Sequence, residues 1–257
     1  MPISVHFGLS TVAGFVLALT RVGCALFLLP LPGFKDAATM VRIVLVVSVT
    51  FCLFPSWPVL TSGVSSGAQF TLALLAESAA GLLIGLAIAI LHDTFQFAAQ
   101  AISVQTGFSI ASITDPASKA DTGVFLFMTQ LMTGLLFFTL GIYHSLLRLL
   151  ARSFDMFPLD SHALQQASVQ TVIHLVGTMF VMGLKLGLPM VFLLMLVDVA
   201  VALLSRLHAQ LQLVTLTFPA KTALSFVFLA LMIARWPTLY EQMARRVFDE
   251  IGRLGSF

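Results

Sequence analysis

The chain has 257 residues, of which 59% are hydrophobic and only 9% charged, with a formal net charge of +2 and a mean hydropathy of +1.03. A soluble domain carries about 25% charged residues and is about half apolar, so this composition excludes a soluble globular enzyme, a disordered chain and a nucleic-acid binder. What remains is an all-α, polytopic membrane protein, because the apolar runs are long and unbroken, whereas barrel strands alternate apolar and polar residues.

In chain order the apolar segments are 7–30, 41–60, 71–91, 95–113, 123–150, 170–204 and 212–234. The first twenty residues hold no Lys or Arg, so the opening segment is expected to stay as an anchor. Cys24 and Cys52 lie in apolar runs and read as small buried side chains. Segment 95–113 is interrupted by Gln96, Gln100, Ser103 and Gln105. Segment 170–204 is overlong: its 35 residues would reach about 52 Å, against a hydrocarbon core of about 30 Å. With Lys185 and Pro189 midway, it reads as a hairpin, a kinked helix, or a helix that leaves the membrane among partners. Residues 114–122 and 151–162 are polar connectors. The tail 238–254 reads as an amphipathic helix with Leu239, Met243, Val247, Ile251 and Leu254 on one face, lying on the membrane surface or docking in the cytosol. Arg235, Arg245, Arg246 and Arg253 place the C-terminus in the cytoplasm by the positive-inside rule.

The chain has no Walker-type phosphate loop, no His-Glu-x-x-His and no Gly-x-Gly-x-x-Gly, which points away from an enzyme and from a bound cofactor or metal. Ionisable residues inside apolar runs are Arg21, Glu77, Lys185, Asp198 and Lys221. Each must face protein or water; they read as pairing charges towards a neighbouring helix or subunit, or as relays of an ion-coupled carrier. His92, Gln96 and Gln100 recur every four residues, as do Gln166, Gln170, His174 and Thr178, giving two polar stripes suited to a wet pore or a helix interface. Gly81 with Gly85, and Gly183 with Gly187, provide notches where helices approach closely. Residues 103–116 combine Gly107 and several hydroxyls with the bulk of Phe108, Ile110 and Ile113. They read as a bent, re-entrant plug able to close a pore by dewetting, or as a polar helix end followed by a loop.

These residues in this order resemble the FliR family of type III secretion export-gate subunits (the T subunit of injectisomes). The resemblance rests on Arg21-Val-Gly with Pro30, Gly33 and Arg42; on Gly107-Phe108 through Thr114-Asp115-Pro116; on His144 with Ser153-Phe154 and Pro158; and on Pro189, Arg206, Gln210-Leu211, Phe218-Pro219 and Lys221. Ala38, Tyr143, Ala209 and Gln212 depart from the usual pattern.

The resemblance implies a fold of kinked helical hairpins, FliP-like over 1–160 and FliQ-like over 161–234, followed by the tail 235–257. It implies assembly with several FliP and FliQ copies around a pore, with FlhB at the entrance, in the bacterial inner membrane at the flagellar basal body. Unfolded flagellar proteins would pass through that pore. By the same analogy residues 107–122 are the plug, with Gly107, Phe108, Ser109, Ile110, Ile113, Asp115 and Pro116 as its named members. The expectation is therefore a non-enzymatic pore subunit for flagellar export. Use in a virulence injectisome is one alternative. An ion-coupled carrier is another, although the inverted repeats of that class are not seen.

Overall fold

The computed structural model describes residues 9–29, 38–54, 67–107, 124–156, 164–207 and 213–254. Among these, all regular structure is helical: α1 (Leu9–Phe27), α2 (Thr39–Cys52), α3 (Gly67–Thr106), α4 (Val124–Thr139), α5 (Ile142–Met156), α6 (Leu164–Leu207), α7 (Leu213–Ile233) and α8 (Trp236–Leu254). α3 and α6 are long and apolar enough to cross a membrane, and the bent pairs α4–α5 and α7–α8 bring the number of spans to four if each counts as one. The protein is a polytopic helical membrane protein, as the composition requires.

Two elements differ from the sequence expectation, and a third settles between alternatives. Segment 71–91 and segment 95–113 as far as Thr106 lie in one 40-residue helix, α3. Neither Gly nor Pro occurs between Gly85 and Gly107, and the glutamines that seemed to mark a break are compatible with helix. The apolar run 123–150, by contrast, is broken at Gly141, whose φ of +68° a helix cannot continue through. For segment 170–204 only the hairpin alternative is overturned: α6 runs as one helix for 44 residues with Pro189 inside it, in line with the single-helix alternatives.

The chain divides into two compact units. The first comprises residues 1–90, 141–175 and 244–257, the second residues 91–140 and 176–243. In the first unit Leu17, Ala18, Val22, Ala25, Ile84, Ala87, Leu150 and Ile251 are fully buried. α1 lies on α3 at backbone distance. A Cβ on Gly81 would collide with the Arg21 carbonyl, and one on Gly85 would stand 2.5 Å from the Ala25 carbonyl oxygen. In the second unit Phe95 packs on Trp236 and Tyr240, with ring centroids 5.8 and 5.3 Å apart, beside buried Phe125, Met190 and Leu194. Here α6 meets α3 through Gly183, where a Cβ would come within 2.8 Å of the Phe97 ring, and through Gly187 against Ala98. Buried Thr129 and Thr133 return their hydroxyls to the Phe125 and Thr129 carbonyls, so they bring no unsatisfied donor into the core.

The buried face of α8 is Trp236, Tyr240, Ala244, Val247 and Ile251. This differs from the expected stripe, which had Leu239 and Met243 in place of Tyr240 and Ala244; those two are only half-buried. The expectation counted aliphatic residues and passed over the aromatic ones. The face is covered by protein. Cys24 is half-buried and Cys52 exposed, the latter against expectation, and both are free thiols.

Candidate functional site

Four of the five intramembrane charges combine into two polar knots. The first ties three helices of the first unit. Arg21 on α1 grips Glu77 on α3 with a two-pronged contact, Nε to Oε2 at 2.5 Å and Nη2 to Oε1 at 2.8 Å. Its remaining prong, Nη1, donates to the Ser153 carbonyl of α5 at 2.5 Å and to Ser153 Oγ at 3.1 Å. Ser153 Oγ in turn donates to the Leu150 carbonyl at 2.7 Å, and the guanidinium carbon lies 4.5 Å above the Phe154 ring. Both charged side chains are at most 2% exposed. The planar fork of arginine suits this role, because it fills both carboxylate oxygens and still reaches a third helix. The glycine notch supplies the room: Gly81 lies one turn from Glu77 and lets the α1 backbone come close enough for the contact.

The second knot closes the C-terminal turn of α3 in the second unit. Lys221 on α7 pairs with Asp198 on α6. Lys221 Nζ also donates to the Gln105 carbonyl at 3.1 Å, and Gln105 Nε2 donates to Asp198 Oδ2 at 3.0 Å. Thr106 Oγ1 and Ser225 Oγ are 2.8 Å apart, with the Thr106 hydroxyl also against the Ile102 carbonyl at 2.8 Å. A cation on the terminal carbonyls is the favoured partner for the negative end of a helix. Immediately beyond, Gly107 turns the chain with a φ of +95°. Residues 103–106 are therefore the last turn of α3, which agrees with the polar-helix-end alternative for this stretch and not with a bend there. The rest of the expected plug, Phe108, Ser109, Ile110, Ile113, Asp115 and Pro116, lies outside the described residues.

The polar stripes are placed unevenly. His92 is buried, Gln96 half-buried and Gln100 exposed, with His92 Nε2 3.5 Å from Gln96 Nε2. Gln170 and His174 are exposed, and His174 Nδ1 lies 3.4 Å from Glu250 Oε1; the Gln166 side chain is outside the described set. Lys185 is exposed and enters neither knot. Among the described residues no three of His, Cys, Asp and Glu gather as a metal site.

Sequence reasoning named each charge but not the pairings, and it missed Ser153, Ser225 and Thr106 as partners. One signal was available for the first knot: Glu77 is the only carboxylate between Asp36 and Asp93, hence the natural counter-ion for Arg21. In chemical terms these knots fix helices. All three guanidinium nitrogens and the Ser153 hydroxyl donate to acceptors within the knot, which suits a structural tie.

The chain is 29% identical over 241 residues to the flagellar biosynthetic protein FliR of Escherichia coli (strain K12), covering 92% of this chain and 88% of that protein. It is 27% identical over 220 residues to the FliR of Pectobacterium carotovorum subsp. carotovorum, with 85% and 84% covered. It is 25% identical over 219 residues to the FliR of Bacillus subtilis (strain 168), with 84% of each covered. Residues 12–247 match the bacterial export proteins, family 1, and this protein belongs to that family as a membrane component of the flagellar export apparatus.

Proposed function

We propose that the chain is a non-catalytic pore subunit of the flagellar type III export gate, assembled with FliP and FliQ homologues, with FlhB at the entrance. It would sit in the inner membrane with its C-terminus in the cytoplasm and pass unfolded flagellar proteins. The observation that carries this reading is the family match over residues 12–247, with relatives named as flagellar biosynthetic proteins over most of both chains. The first knot, which ties three helices through Arg21, fits a structural subunit. In this reading residues 107–122 plug the pore at rest, beginning at the Gly107 turn and held at their start by the Lys221–Gln105–Asp198 knot.

The test is co-expression with FliP and FliQ homologues from the same source, purification in detergent and native mass spectrometry. One copy of this chain in a larger hetero-oligomer is expected; a lone monomer or homodimer despite good expression of the partners would overturn the assignment. Replacing 108–113 by Gly and Ser in the intact export apparatus should raise ion leak across the inner membrane. A tight membrane in that variant would remove the plug role.

A further inference from the structure

α6 has two faces of opposite character within the second unit. Gly183, Gly187, Met190 and Leu194, spaced by four, three and four, are buried and form the inner face. Val181, Lys185, Leu188, Phe192 and Val199, spaced by four, three, four and seven, are all exposed. Lys185 is two positions on from Gly183, about 200° around the helix, so it points away from the packed side.

Lipid alone cannot cover this outer face. The apolar stretch Val172–Arg206 has 35 residues, with only 17% of its most apolar window buried, and apolar side chains are exposed from Ile173 to Leu204. At 1.5 Å per residue it is about 52 Å long, against a core of about 30 Å. To fit by tilting it would have to lean by roughly 55°, outside the 0–40° seen for membrane helices. Some of the exposed apolar face therefore lies beyond the lipid wherever the bilayer sits.

Lys185 adds a chemical requirement. It makes no ion pair among the described residues, whereas Lys221 and Arg21 both do. Pro189, four residues on, has no N–H to offer the Lys185 carbonyl. One cation and one carbonyl thus stand together on an otherwise apolar face.

We infer that the outer face of α6 around Lys185 is the docking surface for an apolar helix of another membrane subunit, one that carries an Asp or Glu opposite Lys185. The inference rests on the reading of the chain as one subunit of a hetero-oligomeric gate, and adds which face is used and what the partner must present. Charge complementarity sets the register, and the flanking Val181, Leu188 and Phe192 supply the apolar contact on either side.

The experiment uses the full chain in cells that carry the complete set of export genes. Wild-type and Lys185→Arg chains should bring down their partner subunits in equal amount, and Lys185→Glu should lose them several-fold while the chain stays in the membrane. In a second arm a photo-crosslinking phenylalanine analogue replaces Phe192 and leaves Lys185 intact. It should join one partner subunit within two helical turns of an acidic residue. Partner capture undiminished in Lys185→Glu, together with crosslinks to lipid alone, would show a lysine reaching for a headgroup and overturn the inference. So would a crosslink to a partner segment without a carboxylate. If Lys185→Glu never reaches the membrane, the crosslinking arm decides. A wild-type chain with no partners at all would instead remove the subunit reading itself, and the docking surface with it.

Discussion

At the scale of single residues, the Arg21 knot carries the strongest expectation. Removing the carboxylate leaves a guanidinium buried among helices with no anion, which costs about 3–5 kcal/mol, whereas replacing both charges with apolar groups of similar size is far milder. Glu77→Ala should therefore lower the thermal midpoint of the purified chain in detergent strongly, and Arg21→Met with Glu77→Leu should recover most of the loss. Additive losses in the double variant would show that the two side chains do not act as a pair. The glycines give a second contrast. Gly81→Ala drives a methyl into the Arg21 carbonyl and should cost about 1–3 kcal/mol. Gly177→Ala meets nothing within 4 Å and should be neutral or stabilise by about 0.5–1 kcal/mol. A loss of stability in both, in the same detergent melt, would mean the close approach at Gly81 is not what matters. The sequence made Arg21, Glu77, Asp198 and Lys221 visible as costly charges, but hydrophobic periodicity reports the face a residue occupies and not its partner. Pairs separated by 56 and 23 positions, as these are, become visible only once the helices are packed.

At the scale of elements, α1, α2 and α7 lie close to the apolar segments that announce them, because each is bounded by connectors rich in Gly, Pro or polar residues. The misjudged ones share a cause. Polar side chains were taken as breaks within α3, where helix continues, and a single glycine in an apolar run was passed over at residue 141, where it stops. Backbone geometry, not polarity, ends a helix in these places. Gly141→Ala should then cost about 1–2 kcal/mol, since a side chain is forced into the left-handed region. The measurement is the same detergent melt, and an unchanged midpoint would show that the turn relaxes to another geometry. For α8, a side chain count restricted to aliphatic residues rotated the predicted face by about one position; adding Trp236 and Tyr240 restores it.

At the scale of the whole molecule, apolar surface exceeds what one chain can bury. α2 exposes Met40, Val41, Ile43, Val44 and Phe51, and α6 exposes most of its length. Such surface favours association. Expressed without the other export proteins, the chain should accumulate in membranes at a several-fold lower level than in their presence, as read by immunoblot at equal transcript. Equal levels would argue that lipid suffices to cover both helices. This excess was legible in the sequence as one overlong segment, 170–204, although Pro189 left a hairpin and a single helix both open.

The Arg21–Glu77 contact also imposes an order on biogenesis. The two residues are 56 positions apart, so at about 5–20 residues per second roughly 3–11 s pass between their synthesis. During that interval the arginine of α1 has no carboxylate, and releasing the helix into hydrocarbon would cost about 2.5–3.5 kcal/mol. α1 is thus best retained in the insertion machinery until α3 emerges, and the pair then leaves together. Ser153, 132 positions after Arg21, completes the tie later still. The first charge made thus waits for two later helices, so the tie doubles as a checkpoint that only a chain synthesised through α5 can pass.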